Sequence, residues 1–137
     1  MIAFCNDPDP ATGGMLEREN EPFSLVDPTN PSVVVAGWND YCTNWEGLGF
    51  SSNGGAPWVS TPVPGYPADD SAEGLLSPLK GRADDAGDPI AAFDRAGRLF
   101  VGGISFMDSG APTNGDVWVS SWDANASGRC RRTTCER

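Results

Sequence analysis

Carboxylates that precede prolines are the first residues of this chain whose chemistry stands out. Glu21 and Asp88 each stand before a proline, 67 positions apart, and Asp84 and Asp85 come shortly before the second pair. Clustered carboxylates are the ligands that a hard cation such as calcium prefers. The sequence therefore offers Asp84, Asp85 and Asp88 as candidate metal ligands and calcium as the suggested cofactor. The alternative is that these acids are solvated or cap strand ends.

Cysteine chemistry leaves two interpretations open. The chain has four cysteines, Cys5, Cys42, Cys130 and Cys135, and no histidine. None of them forms a C-x-x-C pair, so the spacing does not favour a zinc site. They form disulfides, with Cys5–Cys42 and Cys130–Cys135 as the simplest pairing, or they are free thiols.

The net charge of −10 narrows the range of partners. Nucleic-acid binding needs a basic face, and the arginine-rich segment is confined to the last nine residues, so no nucleic-acid partner is expected. No apolar run approaches the roughly 18 residues of a membrane span. The N-terminal residues show no signal-peptide pattern. A negative charge keeps a protein soluble, or it favours cation binding.

Two copies of one strand pattern must position the acids. Each copy reads acid-proline, an apolar strand, an aspartate, a turn and a second apolar strand that ends in small residues. Gly37 and Gly103 align in the second strands, 66 positions apart. Further strands are predicted at 48–51 and 58–61 in the first copy and at 116–120 in the second. Three to four short antiparallel strands per repeat are typical of a propeller blade.

The predicted fold class is therefore all-β, a partial β-propeller of about two antiparallel blades. The second blade lacks a clear fourth strand, and the arginine- and cysteine-rich end is compositionally foreign. That end is a disulfide-stapled tail or an out-of-frame segment. The predicted organisation is an irregular lead-in at 1–19, a first blade at 20–61, a long inter-blade loop at 62–87, an incomplete second blade at 88–122 and a tail at 123–137.

A turn motif follows the third strand of the first copy. Residues 51–58 read Ser-Ser-Asn-Gly-Gly-Ala-Pro-Trp, which fits Ser-x-Asp-x-Gly-x-x-Trp with asparagine in the aspartate place. Asn53 is expected to accept a bond from a backbone N–H two residues on. Gly55 is expected to supply a positive φ, and Trp58 to place its ring between neighbouring sheets. Ser51 is expected to close the turn.

This motif resembles the Asp-box, or BNR, repeat of the sialidase (neuraminidase) superfamily. The acid-proline strand and the Val-Val-Ala-Gly-Trp strand after it are similar to inner strands of those propellers, and the resemblance covers roughly residues 20–122. It implies a fragment of a six-bladed propeller, extracellular or periplasmic, that acts on a glycan or glycoprotein. It also implies that Ser51, Asn53, Gly55 and Trp58 are structural. The fragment would need the remaining blades and would be inactive alone.

The resemblance further implies a catalytic set of three arginines, a Tyr–Glu nucleophile pair and an Asp acid/base. The place of the first arginine reads Asn20-Glu21-Pro22, with Arg18 two residues early, so no catalytic residue is assigned. Glu21, Asp84, Asp85 and Asp88 are candidate acids at the mouth of the channel, and the loop acids Asp69 and Asp70 share their region. The predicted activity is that of a sialidase-type exo-glycosidase. The alternative is a non-catalytic extracellular propeller that binds glycan or protein.

Overall fold

The computed structural model describes residues 19–41, 43–107, 115–124 and 129–136. These residues form eight strands and one short helix: β1 (Glu19–Val26), β2 (Val34–Asp40), β3 (Trp45–Ser51), β4 (Val59–Pro62), α1 (Ala72–Leu76), β5 (Asp85–Phe93), β6 (Leu99–Phe106), β7 (Gly115–Asp123) and β8 (Arg129–Glu136). No helix in these segments is long and apolar enough to cross a membrane.

The strands make two antiparallel four-stranded sheets, in the orders β1-β2-β3-β4 and β5-β6-β7-β8. The all-β prediction is confirmed, and each predicted copy of the strand pattern corresponds to one sheet. Among the described residues each sheet is open, because no further strand pairs with its first or last strand. Short apolar runs separated by Gly, Pro and Asp turns suit this arrangement, because each strand pairs with the next one along the chain.

The second sheet has a fourth strand that the sequence pattern missed. Arg129–Glu136 was predicted to be a foreign tail, but its backbone forms β8 and pairs with β7 along its length. An edge strand needs backbone pairing on one side only and tolerates charged residues. Alternation of apolar residues is therefore a weak signal for such a strand. The long loop predicted at 62–87 is also shorter, because β4 ends at Pro62 and β5 begins at Asp85.

A β-bulge interrupts the first strand of each sheet at the acid-proline pair. The register shifts between Asn20 and Phe23 in β1 and between Gly87 and Ile90 in β5. Proline has no N–H to donate to the sheet, so the pairing breaks there. The preceding acid takes a left-handed conformation in both strands, with φ of 53° at Glu21 and 57° at Asp88. The repeated acid-proline therefore encodes a repeated kink.

Strand pairing corrects the alignment of the two copies. Phe23 pairs with Gly37 in the first sheet, and Ile90, 67 positions later, pairs with Gly102 in the second. The counterpart of Gly37 is thus Gly102, 65 positions on, and not Gly103. The offset between the copies falls from 67 residues in the first strand to 65 in the second, so the turn between β5 and β6 is two residues shorter than the turn between β1 and β2.

The sheets stack front to back. We call the side of each sheet that carries Leu48 or its counterpart Val119 the front face, and the other side the back face. Phe50 lies on the front of the first sheet, and its ring centroid is 5.8 Å from that of Trp122 on the back of the second. Trp118, also on that back face, is fully buried. The two sheets therefore repeat in the same sense, with the front of the first against the back of the second.

A tryptophan pairs with a glycine across neighbouring strands on the back face of each sheet, but the two strands exchange roles. In the first sheet Trp38 of β2 pairs with Gly47 of β3, and a Cβ on Gly47 would come within 2.5 Å of the indole. In the second sheet Gly103 of β6 pairs with Trp118 of β7. Each back face therefore carries one tryptophan at the equivalent strand pair, on β2 in the first sheet and on β7 in the second.

Candidate functional site

A cleft opens where the two sheets meet, at the end where β2 and β6 finish and β3 and β5 begin. Its volume is about 250 Å³. The lining combines amides, carboxylates and aromatic rings: Asn39, Asp40, Tyr41, Asn44, Trp45, Asp85, Ala86, Gly87, Asp88, Ile104 and Phe106. The two acid-proline segments also lie at this end, because their bulges are near the start of β1 and of β5.

Asn39 connects the polar groups of the cleft across the sheet junction. Its Nδ2 donates to Asn20 Oδ1 at 2.8 Å and to Glu21 Oε2 at 3.1 Å. Its Oδ1 accepts the backbone N–H of Asp88 at 3.0 Å. One amide therefore holds the carboxylate of the first bulge and the backbone of the second. This role has no signal in the sequence, because it depends on how the sheets stack.

Two further contacts shape the cleft. The Asn44 carbonyl accepts the N–H of Ala86 at 3.0 Å, and Asn44 has a left-handed φ of 51°. On the outer side, Asn20 Nδ2 donates to the Tyr41 hydroxyl at 3.1 Å. The cleft walls are thus fixed by hydrogen bonds between the turn after β2, the start of β1 and the start of β5.

Glu46 is the most unusual ionisable group near the cleft. It pairs with Asn39 on the front face of the first sheet and has no exposed surface. Neither of its carboxyl oxygens has a hydrogen-bond partner within the part of the chain that the structure describes. Burial, and to a smaller extent the charge of Asp88, raises the pKa of Glu46 to about 9. The carboxyl is therefore neutral at pH 7.

Gly103 makes room for this carboxyl. A Cβ on Gly103 would overlap Glu46 Oε1 and would lie 2.8 Å from the carbonyl oxygen of Gly87. The glycine counterpart of Trp38 is thus the point where the second sheet accommodates an acid of the first. The signal in the sequence is a single glutamate inside the otherwise uncharged strand Trp-Glu-Gly-Leu-Gly-Phe.

The predicted channel-mouth acids are only partly brought together. Asp85 and Asp88 line the cleft, and Glu21 reaches it through Asn39. Asp84 donates its backbone N–H to the Phe106 carbonyl at 3.1 Å. Over the described segments, no three His, Cys, Asp or Glu side chains are grouped so that they could hold a metal ion. The calcium site at Asp84, Asp85 and Asp88 stays a prediction.

Asp69 organises the loop between the sheets and is not a free acid. Its Oδ2 accepts the N–H of Gly65 at 2.8 Å, and its Oδ1 accepts that of Ser71 at 3.0 Å. Burial works to raise the pKa of Asp69, but hydrogen bonds from Ser71 and Gly65 and the charge of Lys80 lower it overall. Lys80 Nζ also donates to the carbonyls of Pro67 and Asp69, at 2.8 and 2.7 Å. Asp70 is almost fully exposed beside this lysine.

The Asp-box-like turn lies at the far end of β3 from the cleft. β3 has seven residues, so the two ends are separated by about 20 Å. Ser51 is the residue that closes the turn, because its Oγ accepts the N–H groups of Asn53 and Gly55 at 3.3 and 3.0 Å. The prediction that Asn53 supplies this acceptor is wrong, and Asn53 is exposed.

The remaining features of the motif have clear positions. Gly55 has a φ of 119°, as the turn prediction required. Trp58 is half-buried and lies over Gly49, where a Cβ would be 3.3 Å from both the Trp58 and the Trp38 rings. Trp58 therefore packs on the back face of its own sheet, beside Trp38, and does not lie between the two sheets.

Other predicted features fall outside what the structure describes. The disulfide prediction involves Cys5, Cys42, Cys130 and Cys135, and the described side chains include none of them. Arg18, the arginine nearest to the family position, is also outside the described residues. A comparison with protein-family models, with curated proteins and with solved structures found no match to this chain.

Proposed function

We propose that the chain is a two-blade segment of a sialidase-like Asp-box propeller, extracellular or periplasmic, whose cleft binds carbohydrate. Two four-stranded antiparallel sheets stacked front to back support the propeller part of the proposal. The Ser51–Trp58 turn at the end opposite to the cleft supports the family resemblance, because Asp-boxes of that family lie away from the functional face.

The lining of the cleft is the observation that carries the carbohydrate proposal. Sugar rings present hydroxyls that both donate and accept hydrogen bonds, and apolar C–H faces that stack on aromatic rings. The Asn44 amide and the carboxylates of Asp85 and Asp88 offer the polar partners, and Tyr41 is a 43% exposed ring at the same site. A few fixed polar groups beside aromatic surface are typical of a small-ligand site.

Binding is favoured over cleavage by the groups that line the cleft. The family mechanism holds the substrate carboxylate with arginines, and the described lining contains no arginine. Arg82 is paired with Asp116 at 2.7 Å instead. Glu46 has no exposed surface and cannot contact a ligand. Sialidase-type hydrolysis remains the second candidate, since Tyr41 and three aspartates share one cleft and that chemistry uses a tyrosine nucleophile.

A glycan array probed with the 137-residue chain tests the proposal. The resemblance implies that catalysis needs the remaining blades, so we expect this segment to bind a set of glycans without turnover. The glycan that binds most strongly is then measured by isothermal titration. Tyr41→Ala and Asp85→Asn should weaken that binding by about tenfold each, since a hydrogen bond to a charged group or a stacked ring contributes roughly 1–2 kcal/mol. Asn53→Ala is the matched control, because it removes an exposed amide at the opposite end of the first sheet.

Turnover is measured in parallel with fluorogenic sialosides and other glycosides. Binding that depends on Tyr41 and Asp85 without sugar release supports the proposal. Sugar release that is lost in the same variants would establish the hydrolase alternative. Absence of glycan binding, or binding that Asn53→Ala weakens as much as the cleft variants do, would refute a carbohydrate site in this cleft.

A further inference from the structure

The front face of the second sheet is an exposed apolar surface. Ile90, Val117, Val119 and Ile104 expose 69, 60, 45 and 39% of their surface. They are contiguous, because Ile104 pairs with Val117, while Ile90 and Val119 approach each other over Gly102. Contiguous apolar patches on soluble proteins usually mark interaction sites. We call these four residues the open front patch.

The repeat within the chain identifies what fits this patch. Val119 is the counterpart of Leu48, which is fully buried on the front face of the first sheet. That front face is covered by the back face of the second sheet, which carries the buried rings of Trp118 and Trp122. The partner that matches a front face in this chain is therefore a back face that carries tryptophan rings.

The chain has a second back face of this kind. On the back of the first sheet, Trp38 covers Gly47 and Trp58 lies beside it over Gly49. Val26 and Val34 pair on the same side, and Val26 is 54% exposed. We call Val26, Val34, Trp38 and Trp58 the tryptophan patch. It is half-buried to exposed, so it offers apolar surface to a neighbour.

We propose that the open front patch docks onto the tryptophan patch of a second copy of this chain, so that copies associate head to tail in the same front-to-back sense as the two sheets. Such a contact is heterologous, and a heterologous contact closes into a ring or extends as a filament. Propellers close with about 4–8 sheets, so a ring would hold about two to four copies. The inference uses only the stacking of the sheets and does not depend on carbohydrate binding.

Sedimentation velocity on the 137-residue chain tests the proposal. Measurements run from about 1 to 100 μM in 0.15 M NaCl, where the repulsion from a net charge of −10 is screened. We expect species larger than the 14.4 kDa monomer, increasing with concentration. Ile90→Lys with Val117→Lys disables the front patch, and Val26→Lys disables the tryptophan patch. The control is Leu76→Lys in α1, an equally apolar residue that is 85% exposed.

The head-to-tail geometry predicts an outcome that no symmetric contact gives. Each patch variant alone should be monomeric, because every junction needs one intact patch of each kind. An equimolar mixture of the two variants should form dimers and nothing larger, since one functional junction remains. Circular dichroism checks that each variant is folded. A wild-type monomer at every concentration, oligomers that Val26→Lys leaves intact, or equal disruption by Leu76→Lys would overturn the proposal.

Discussion

Replacing Glu46 by glutamine should stabilise the protein at neutral and alkaline pH and have little effect in acid. Glutamine keeps the shape of the side chain and removes its proton equilibrium. In the folded protein the carboxyl is buried between the sheets, and its pKa is raised from 4.5 to about 9. In the unfolded chain it is solvated and ionises near 4.5. Folding above that pH therefore requires the carboxyl to take up a proton.

The size of this cost follows from the two pKa values. The folded state binds more protons than the unfolded state between about pH 4.5 and 9, so stability falls as the pH rises through that window. Each pH unit costs about 1.4 kcal/mol. At pH 7 the cost is about 3 kcal/mol, and between pH 5 and pH 8 it grows by about 4 kcal/mol. These are large fractions of a typical domain stability.

Urea unfolding followed by tryptophan fluorescence at pH 5 and at pH 8 measures the effect. The difference between Glu46→Gln and the wild type should be small at pH 5 and should favour the variant by several kcal/mol at pH 8. Comparing the two proteins at each pH cancels the titration of all other groups. Glu73→Gln is the control, because Glu73 is an exposed carboxylate in α1. An effect of Glu46→Gln that is the same at both pH values would refute this reasoning.

Three further perturbations address the turn, the sheet junction and the loop. Ser51→Ala should lower the unfolding free energy by about 1–2 kcal/mol, since two backbone N–H groups lose their acceptor, while Asn53→Ala should change it by less than about 0.5 kcal/mol in the same urea titrations. Gly103→Ala should lower the unfolding free energy by at least about 2 kcal/mol, because the added Cβ would overlap the buried Glu46 carboxyl. The control is Gly115→Ala, whose Cβ would meet nothing closer than 3.9 Å, so the unfolding free energy should fall by less than about 1 kcal/mol. Thermal unfolding measures both changes. Asp69→Asn should speed proteolysis of the loop between β4 and β5 at pH 7. Because the folded pKa of that carboxylate lies below 3.8, its stabilisation is present above pH 3.8 and is lost as the pH falls through the folded value, so wild type and variant should converge in acid.

The local features of this fold could be predicted from the sequence. Apolar runs between Gly, Pro and Asp turns located seven of the eight strands, and the 67-residue repeat of the acid-proline pair matched the first strands of the two copies. The bulges at these pairs were not predicted. These signals are local, because turn chemistry and the loss of an N–H at proline act within a few residues. The turn at Ser51 was located correctly for the same reason.

The features that depend on stacking could not be predicted in this way. The second sheet decides whether the Asn39 side chain contacts solvent or the backbone of Asp88. The second sheet also buries Glu46. The 65-residue offset between Gly37 and Gly102 is set by strand pairing. The amino-acid pattern of the strands does not show that the turn before the second strand is two residues shorter in the second copy. The same limit applies to β8. Its own sequence has no strand pattern, and it is a strand because its backbone pairs with β7.

The two front faces explain why one chain can carry a polar site and an apolar docking patch on equivalent surfaces. Asn39 pairs with Glu46 at the cleft end of the first sheet, and the counterpart pair in the second sheet is Ile104 with Val117. The junction inside the chain therefore receives the amide and the acid that shape the cleft, while the counterpart positions on the other front face carry hydrocarbon side chains. A head-to-tail neighbour would bury that hydrocarbon without creating a second site of the same chemistry. If both proposals hold, an assembly has one carbohydrate cleft per copy, at every second sheet junction.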